Sequence, residues 1–135
     1  MADKIRKSDA EWRAQLSDLA YHVTREKGTE RPWSHDFPKG AATFTCASCG
    51  APLFDADTKF ESGSGWPSFY RPIAPDAVEE HPDDGHLMRR TEVVCARCDA
   101  HLGHVFEDGP QPTGLRYCMN GVALKFVPGA AGGPA

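Results

Sequence analysis

The 135-residue sequence contains no apolar run that approaches the roughly 20 residues needed to span a bilayer. Its first residues also lack the apolar core of a secretory signal peptide. A basic excess is missing too, because the net charge is −4, and a surface for nucleic acid or anionic lipid would require a basic patch. These absences predict a cytoplasmic protein that binds neither nucleic acid nor membranes, and we expect a monomer.

Long uninterrupted segments are scarce, since 13 glycines and 11 prolines divide the chain. Short apolar runs between such residues favour many short strands over long helices, so the predicted fold class is mainly β. The strands are predicted at residues 42–46, 52–54, 59–62, 87–95 and 122–127. The length suits one domain, placed at residues 1–127, followed by a tail at 128–135 that has little to pack and is expected to be disordered.

Only the N-terminal region shows a helical pattern. Ser8 and Glu11 have the spacing of a capping box, in which the serine accepts from a backbone amide and the glutamate reaches back. Apolar residues then recur at helical spacing, at Trp12, Leu16, Leu19 and Val23. We predict one helix that starts at Ser8, docks this stripe on the domain and ends at Gly28.

Two polar stretches are predicted as loops. Residues 71–85, rich in proline and acidic residues, should lie at the surface. Residues 29–35 form an irregular link, in which Trp33 and His35 are either ordinary loop residues or part of a substrate surface.

A glycine-rich stretch at residues 63–69 predicts a tight loop. It contains Trp66 and Phe69. From composition alone, these rings either belong to the core or are presented by the loop.

Four of the five cysteines form two Cys-x-x-Cys pairs, Cys46 with Cys49 and Cys95 with Cys98. Four thiolates make a closed tetrahedral zinc shell, so we predict a structural zinc that joins two distant hairpins and leaves no position for catalytic water. Two disulfides are the alternative, which is disfavoured because nothing marks the chain as secreted. A redox role is less consistent still, because neither pair opens a helix in a strand-helix-strand pattern.

The fifth cysteine, Cys118, lies in a segment rich in reactive side chains, residues 101–120. Turn residues near the middle of this segment predict two short strands, with two histidines on the first and Cys118 on the second. Because side chains alternate along a strand, Arg116, Cys118 and Asn120 should share one face.

Two interpretations of Cys118 remain open at this point. A lone cysteine is often a small buried hydrophobe. Arg116 instead favours a nucleophile, because a nearby positive group lowers a thiol pKa from about 8.5, and a histidine can move a proton near neutral pH. His101 and His104 would face opposite sides of a regular strand, so we predict an irregularity at Gly103 that re-aims one of them.

Several motifs agree in order and spacing with one known family. They are the two cysteine pairs, residues 29–32, 63–69, 90–93, 101–106, 108–110, 112–114 and 116–120, and His86. Over about residues 10–127, the sequence resembles the methionine-R-sulfoxide reductases of the B type. The resemblance implies two antiparallel sheets, a zinc at the end away from the active site, and reduction of the R epimer, mainly in protein-bound methionine.

The resemblance also implies site residues. The thiolate of Cys118 would attack the sulfoxide sulfur and retain the oxygen as a sulfenic acid, and Arg116 is similar to the family's arginine that supports the thiolate. His101 and His104 match the pair that binds and protonates the oxygen, with Asn120 beside them. The substrate-binding residues implied in the same way are Trp66, which would receive the S-methyl group, Phe69 and His86.

Three positions depart from the family pattern. Ser64 stands where many members carry the cysteine that resolves the sulfenic acid, so we expect an external thiol to regenerate Cys118. Thioredoxin is the expected donor, and glutathione with glutaredoxin is the alternative. Gly121 replaces a common serine after the asparagine, and Leu87 replaces a common glycine after His86.

Two other functional classes compete with the reductase. A zinc module for protein or RNA binding accounts for the four paired cysteines and leaves Cys118 unused. A cysteine-histidine hydrolase or acyl transferase would use Cys118 but consume no reducing equivalents, so the products distinguish it.

Overall fold

The computed structural model describes residues 4–35, 37–38, 40–83 and 90–128. Within these ranges the chain forms two antiparallel sheets and two short helices, which confirms the predicted fold class. None of the helices described is long and apolar enough to cross a bilayer. The tail beyond Pro128, the predicted substrate residue His86 and the departure at Leu87 lie outside the described residues.

The N-terminal segment forms two helices, α1 (Asp9–Gln15) and α2 (Asp18–Glu26). The predicted capping box begins α1. The Ser8 Oγ accepts a hydrogen bond from the Glu11 amide at 3.2 Å, and the Glu11 Oε1 accepts one from the Ser8 amide at 3.0 Å.

The prediction of one continuous helix is wrong. Leu16 takes an extended conformation that ends α1, and the Ser17 side chain caps α2. The two helices do not continue a single apolar stripe, because Leu19 is 42% exposed. Trp12 and Val23 are buried as expected.

The described residues contain nine strands: β1 (Ala42–Cys46), β2 (Pro52–Asp55), β3 (Lys59–Phe60), β4 (Ser68–Phe69), β5 (Val78–Asp83), β6 (Arg90–Cys95), β7 (His101–Phe106), β8 (Arg116–Met119) and β9 (Leu124–Pro128). One sheet has the order β2-β1-β9, and the other has the order β3-β4-β8-β7-β6-β5. The predicted strands are confirmed, with ends that differ by a residue or two where both ends are described.

The prediction of a surface loop at residues 71–85 is wrong for β5. Among the described strands, β5 forms the edge of the larger sheet and pairs only with β6. An edge strand can expose polar side chains and accept a proline. β5 contains Pro82 and four acidic or histidine residues, so it lacks the alternation of apolar and polar residues that predicts a half-buried strand.

Aromatic rings from both sheets meet in the core. Phe69 of the larger sheet stacks on Phe54 of the smaller sheet, with ring centroids 4.4 Å apart. Phe44 meets the Phe69 ring edge-on at 5.1 Å. Phe69 is therefore a fully buried core residue, and this position corrects the prediction that it contacts substrate.

The irregularity predicted at Gly103 is present in β7. Against β6, Gly103 pairs with Val93, whereas the next pair joins His101 to Val94. Leu102 is thus an extra residue in β7, which makes a β-bulge.

This bulge places both histidines on one face of the sheet. The ring centroids of His101 and His104 lie 5.5 Å apart. Gly103 also permits the close approach of β8, because a Cβ at this position would lie 2.1 Å from the Cys118 carbonyl oxygen.

Gly103→Ala is therefore expected to cost about 3 kcal/mol or more of unfolding free energy, since backbone atoms of β8 would have to move. Gly114→Ala is the control, because Gly114 has φ +72° and an added Cβ meets no described atom within 4 Å. That change should cost only the left-handed penalty of about 1–2 kcal/mol. Urea unfolding measures both, and equal losses would contradict the role given to Gly103.

Candidate active site and metal centre

A pocket of about 340 Å³ opens where β7 and β8 lie side by side. Its lining includes five of the residues predicted from the sequence, and one residue identified as a departure from the family. They are Trp66, His104, Arg116, Cys118, Asn120 and Ser64. The structure therefore brings together most of the predicted site.

Cys118 lies on β8, directly opposite His104 on β7 and Ser68 on β4. Its Sγ is 4.0 Å from the Ser64 Oγ. Burial raises the pKa of the Cys118 thiol, and the opposing effects of Ser64 and Arg116 are smaller. Arg116 acts on this pKa in the expected direction, but burial outweighs its effect, so the net shift is opposite to the one predicted.

Arg116 is fixed beside Cys118 by two hydrogen bonds to one carboxylate. Its Nε donates to Asp108 Oδ1 at 2.8 Å, and its Nη2 donates to Asp108 Oδ2 at 3.1 Å. The guanidinium also lies 4.5 Å from the centre of the Phe106 ring. The Arg116 guanidinium holds the pKa of Asp108 below its usual range, so the pair stays charged near neutral pH.

His104 faces the pocket and contacts an acidic partner. Its Nε2 lies 2.9 Å from Asp83 Oδ2, and Arg90 Nη2 lies 3.2 Å from the same oxygen. A carboxylate can only accept here, so His104 donates from Nε2.

His101 lies behind His104 and is almost completely buried. Its Nδ1 donates to Glu92 Oε2 at 2.8 Å, and Lys27 Nζ lies 3.4 Å from the other carboxylate oxygen. Burial lowers the pKa of His101, and Glu92 opposes this only in part. A neutral His101 with its proton on Nδ1 keeps Nε2 as an acceptor.

Trp66 and Asn120 both contact the main chain of Glu30. The indole Nε1 of Trp66 donates to the Glu30 carbonyl oxygen at 3.0 Å. The Glu30 amide donates to Asn120 Oδ1 at 2.9 Å, and Asn120 Nδ2 donates to the Leu102 carbonyl oxygen at 3.0 Å.

The acidic residues that hold this site are not among the site residues predicted from the sequence. They are Glu30, Asp83, Glu92 and Asp108. Three of them fall within the family motifs at residues 29–32, 90–93 and 108–110. Their position in these motifs was the sequence feature that could have indicated a role in the site. The fourth lies in the stretch predicted as a surface loop.

The four paired cysteines form a cluster that joins the two sheets. Cys46 ends β1 and Cys95 ends β6, and each is followed by its partner three residues later. The four sulfur atoms lie within 4.8 Å of one another, with Cys46 and Cys98 at 3.6 Å and Cys49 and Cys95 at 3.7 Å. Tetrahedral zinc with bonds of about 2.3 Å separates its sulfur ligands by about 3.8 Å, so the cluster can hold a metal ion.

The four thiols of this cluster influence one another in opposite directions, because the pKa of Cys49 and of Cys98 is lowered and that of Cys46 and of Cys95 is raised. Hydrogen bonds from Cys46 and Cys95 hold the pKa of Cys98 well below its usual range, and the Arg25 guanidinium adds to this effect. Arg25 Nη2 donates to Cys98 Sγ at 3.3 Å. All five cysteines of the chain are free thiols in this structure, which does not support the alternative of two disulfides.

The departure at Gly121 has a structural cause in His35. A Cβ at position 121 would lie 2.6 Å from the His35 Cβ and 2.7 Å from its Cγ. The imidazole, whose Nδ1 lies 3.0 Å from Glu30 Oε1, thus occupies the space that a serine side chain would need.

Gly121→Ser should therefore cost about 1–3 kcal/mol of unfolding free energy, because His35 must move away from Glu30. In a His35→Gly background the same change should cost at least about 1 kcal/mol less, since the clash is absent. A double-mutant cycle followed by thermal or urea unfolding measures this coupling, and additive effects would contradict it.

The comparisons with known proteins agree with this geometry. The sequence matches the SelR domain family over residues 16–128. It is 56% identical to the peptide methionine sulfoxide reductase MsrB of Chromohalobacter salexigens over 132 residues, which are 96% of this chain and 99% of that protein. It is 58% identical to the MsrB of Pseudomonas putida over 127 residues (93% and 96%) and 56% identical to that of Methanosarcina mazei over 127 residues (93% and 91%). The chain therefore belongs to the SelR-domain family of peptide methionine sulfoxide reductases of the MsrB type.

Proposed function

We propose that this protein reduces the R epimer of methionine sulfoxide, mainly in polypeptides, to methionine, with Cys118 as the nucleophile. The observation that carries the proposal is the pairing of Cys118 with His104 across two strands, inside a pocket that also holds Arg116 and Trp66. A binding module has no use for such an arrangement. The family of the chain supports the same reaction.

In the first step, the Cys118 thiolate attacks the sulfoxide sulfur. The bond between that sulfur and its oxygen breaks, the oxygen remains on Cys118 as a sulfenic acid, and methionine leaves. Two electrons pass from the Cys118 sulfur to the methionine sulfur. Arg116, fixed by Asp108, stabilises the thiolate because its positive charge lies beside the sulfur.

The sulfoxide oxygen must gain a proton as its bond to sulfur breaks. His104 is the proposed donor, because it lies opposite Cys118 and faces the pocket. A protonated His104 donates to Asp83 from Nε2 and keeps a second proton on Nδ1 for the substrate. The buried His101 supports the His104 ring from behind.

Binding of the methionine side chain is assigned to Trp66. The indole offers an apolar face to the S-methyl group, while its N–H is already bonded to Glu30. Contacts to the methyl group on one side and to the oxygen on the other distinguish the two epimers at sulfur.

Regeneration is proposed to use an external thiol. Ser64 lies 4.0 Å from Cys118 where many relatives are expected to carry a resolving cysteine, and the other four cysteines are committed to the metal cluster. The sulfenic acid then reacts with two thiol groups of thioredoxin, or of glutathione with glutaredoxin, to give the Cys118 thiol, a disulfide in the reductant, and water.

The metal of the cysteine cluster is proposed to be zinc. Four sulfur donors at tetrahedral spacing suit zinc and leave no position for water. Its contribution is to the fold, and the chemistry at Cys118 proceeds without it.

A single turnover tests the proposed reaction. Reduced protein with excess N-acetylmethionine R-sulfoxide and no reductant should yield about one methionine per chain, with one oxygen added to Cys118. Cys118→Ser should stay folded and yield none, and the S epimer should not react. A disulfide to Cys118 in peptide maps would contradict the external-thiol step. No product from folded wild-type protein would instead favour the binding module.

Loss of the metal is expected to unfold the domain. Cys49→Ser should release about one zinc per chain and abolish the cooperative melting transition, because structural zinc contributes about 10–16 kcal/mol against a typical stability of about 5–15 kcal/mol. Ser48→Ala, in the same turn, keeps all four sulfurs and should retain both zinc and fold. Elemental analysis with circular dichroism measures both, and a stable, active Cys49→Ser protein without zinc would contradict the assignment.

A further inference from the structure

Glu30 has a buried carboxylate that takes no direct part in the proposed chemistry. Its side chain is 1% exposed. Oε2 accepts a hydrogen bond from the Gly121 amide at 2.8 Å, Oε1 accepts one from the Val122 amide at 2.8 Å, and His35 Nδ1 lies 3.0 Å from Oε1. Three donors therefore converge on one carboxylate, and two of them are the amides that directly follow Asn120 in the chain.

The main chain of the same residue holds two side chains that line the pocket. Its amide donates to Asn120 Oδ1, and its carbonyl oxygen accepts from Trp66 Nε1. Glu30 thus makes hydrogen bonds through both its backbone and its side chain, and all of these except the contact with His35 reach a pocket-lining residue or the segment that follows Asn120.

We propose that Glu30 is a positioning residue for sulfoxide reduction: its carboxylate fastens residue 30 to the segment after Asn120, and its main chain then fixes Asn120 and Trp66. The proposal rests on the proposed function. It concerns the placement of groups that contact the substrate, and Glu30 itself contacts none of the reacting atoms.

The hydrogen bond from the Glu30 amide fixes the orientation of the Asn120 side-chain amide. Because the Glu30 amide is a donor, it requires the Asn120 oxygen, and the amide nitrogen must then face the Leu102 carbonyl oxygen. Asn120 lines the pocket, and none of the described residues accepts a hydrogen bond from the second N–H of that nitrogen. A sulfoxide oxygen accepts hydrogen bonds and never donates them, so this orientation is the one that suits the substrate, and the reverse orientation would oppose it.

The carboxylate is suited to this task by its charge and its number of acceptors. Hydrogen bonds to a charged acceptor are stronger than those between neutral groups. Glutamine has nearly the same shape but replaces one oxygen with a donor, which would face the Gly121 or Val122 amide. Glu30→Gln should therefore release residue 30 from this segment without creating a cavity.

Nuclear magnetic resonance can observe both held side chains directly. Asn120 is the only asparagine in the sequence, so protein labelled with ¹⁵N-asparagine gives a single side-chain amide pair. The sequence has three tryptophans, and Trp66→Phe identifies the indole signal of Trp66. Glu61→Gln is the matched control. Glu61 is 82% exposed and lies just before the glycine-rich loop that carries Trp66.

In Glu30→Gln, the Asn120 amide and the Trp66 indole signals should shift and exchange faster with water, whereas Glu61→Gln should leave both unchanged. The kcat/KM for N-acetylmethionine R-sulfoxide should fall about ten- to hundred-fold. The loss of the Asn120 contact should lower kcat, because charge builds on the oxygen during reaction, and the displaced indole should raise KM. A purely structural role would lower the melting temperature and leave these signals and constants unchanged in the folded protein.

Unchanged signals or an unchanged kcat/KM in folded Glu30→Gln would overturn the proposal. If that variant fails to fold, Glu30→Asp provides the same test. Aspartate keeps the negative charge, but its side chain is shorter, so the main chain of residue 30 must move for the carboxylate to reach the two amides. Wild-type protein without turnover would overturn the proposed function, whereas active wild-type protein with an unaffected Glu30→Gln variant would overturn this proposal alone.

Discussion

The arrangement of the site depends on the extra residue that β7 carries against β6. Without the bulge at Leu102, His101 and His104 would lie on opposite faces of the sheet. With it, both rings lie on the face that also presents Cys118, and Gly103 leaves room for the β8 backbone to approach. A single backbone irregularity thus brings both histidines to the face of the sheet that carries Cys118.

The polar groups around Cys118 are fixed before any substrate binds. Asp108 holds Arg116, Asp83 contacts His104, and Glu92 holds His101. Preorganised groups need no reorientation during the reaction, whereas water molecules must reorient around the developing charge. This difference lowers the activation free energy in an enzyme site. The raised pKa of Cys118 is consistent with this chemistry, because a neutral thiol and a sulfoxide together contain every proton that a sulfenic acid and a thioether need. In the proposed reaction, the proton that leaves the Cys118 sulfur can therefore be the one that His104 delivers to the oxygen.

The parts of the structure that follow local rules could be predicted from the sequence. The capping box at Ser8, the bulge at Gly103 and the two cysteine pairs each depend on neighbours close in the chain. The unpredicted parts depend on contacts between distant segments. Burial of Cys118 by two flanking strands reverses the expected pKa shift, the stacking of Phe69 on Phe54 removes it from the substrate site, and an edge position lets polar residues form β5. No local pattern carries that information.

Asn120 occupies the point where the chain leaves the larger sheet for the smaller one. β8 ends at Met119, the next strand begins at Leu124, and the turn between them carries the amides that Glu30 binds. The position of Asn120 is therefore set by how the two sheets sit together, and the cysteine cluster is the second connection between those sheets, joining the ends of β1 and β6. Four sulfur ligands would leave a metal bound there no position for water. In the proposed function, such a metal would affect the reaction through geometry, because a change in sheet packing would move Asn120.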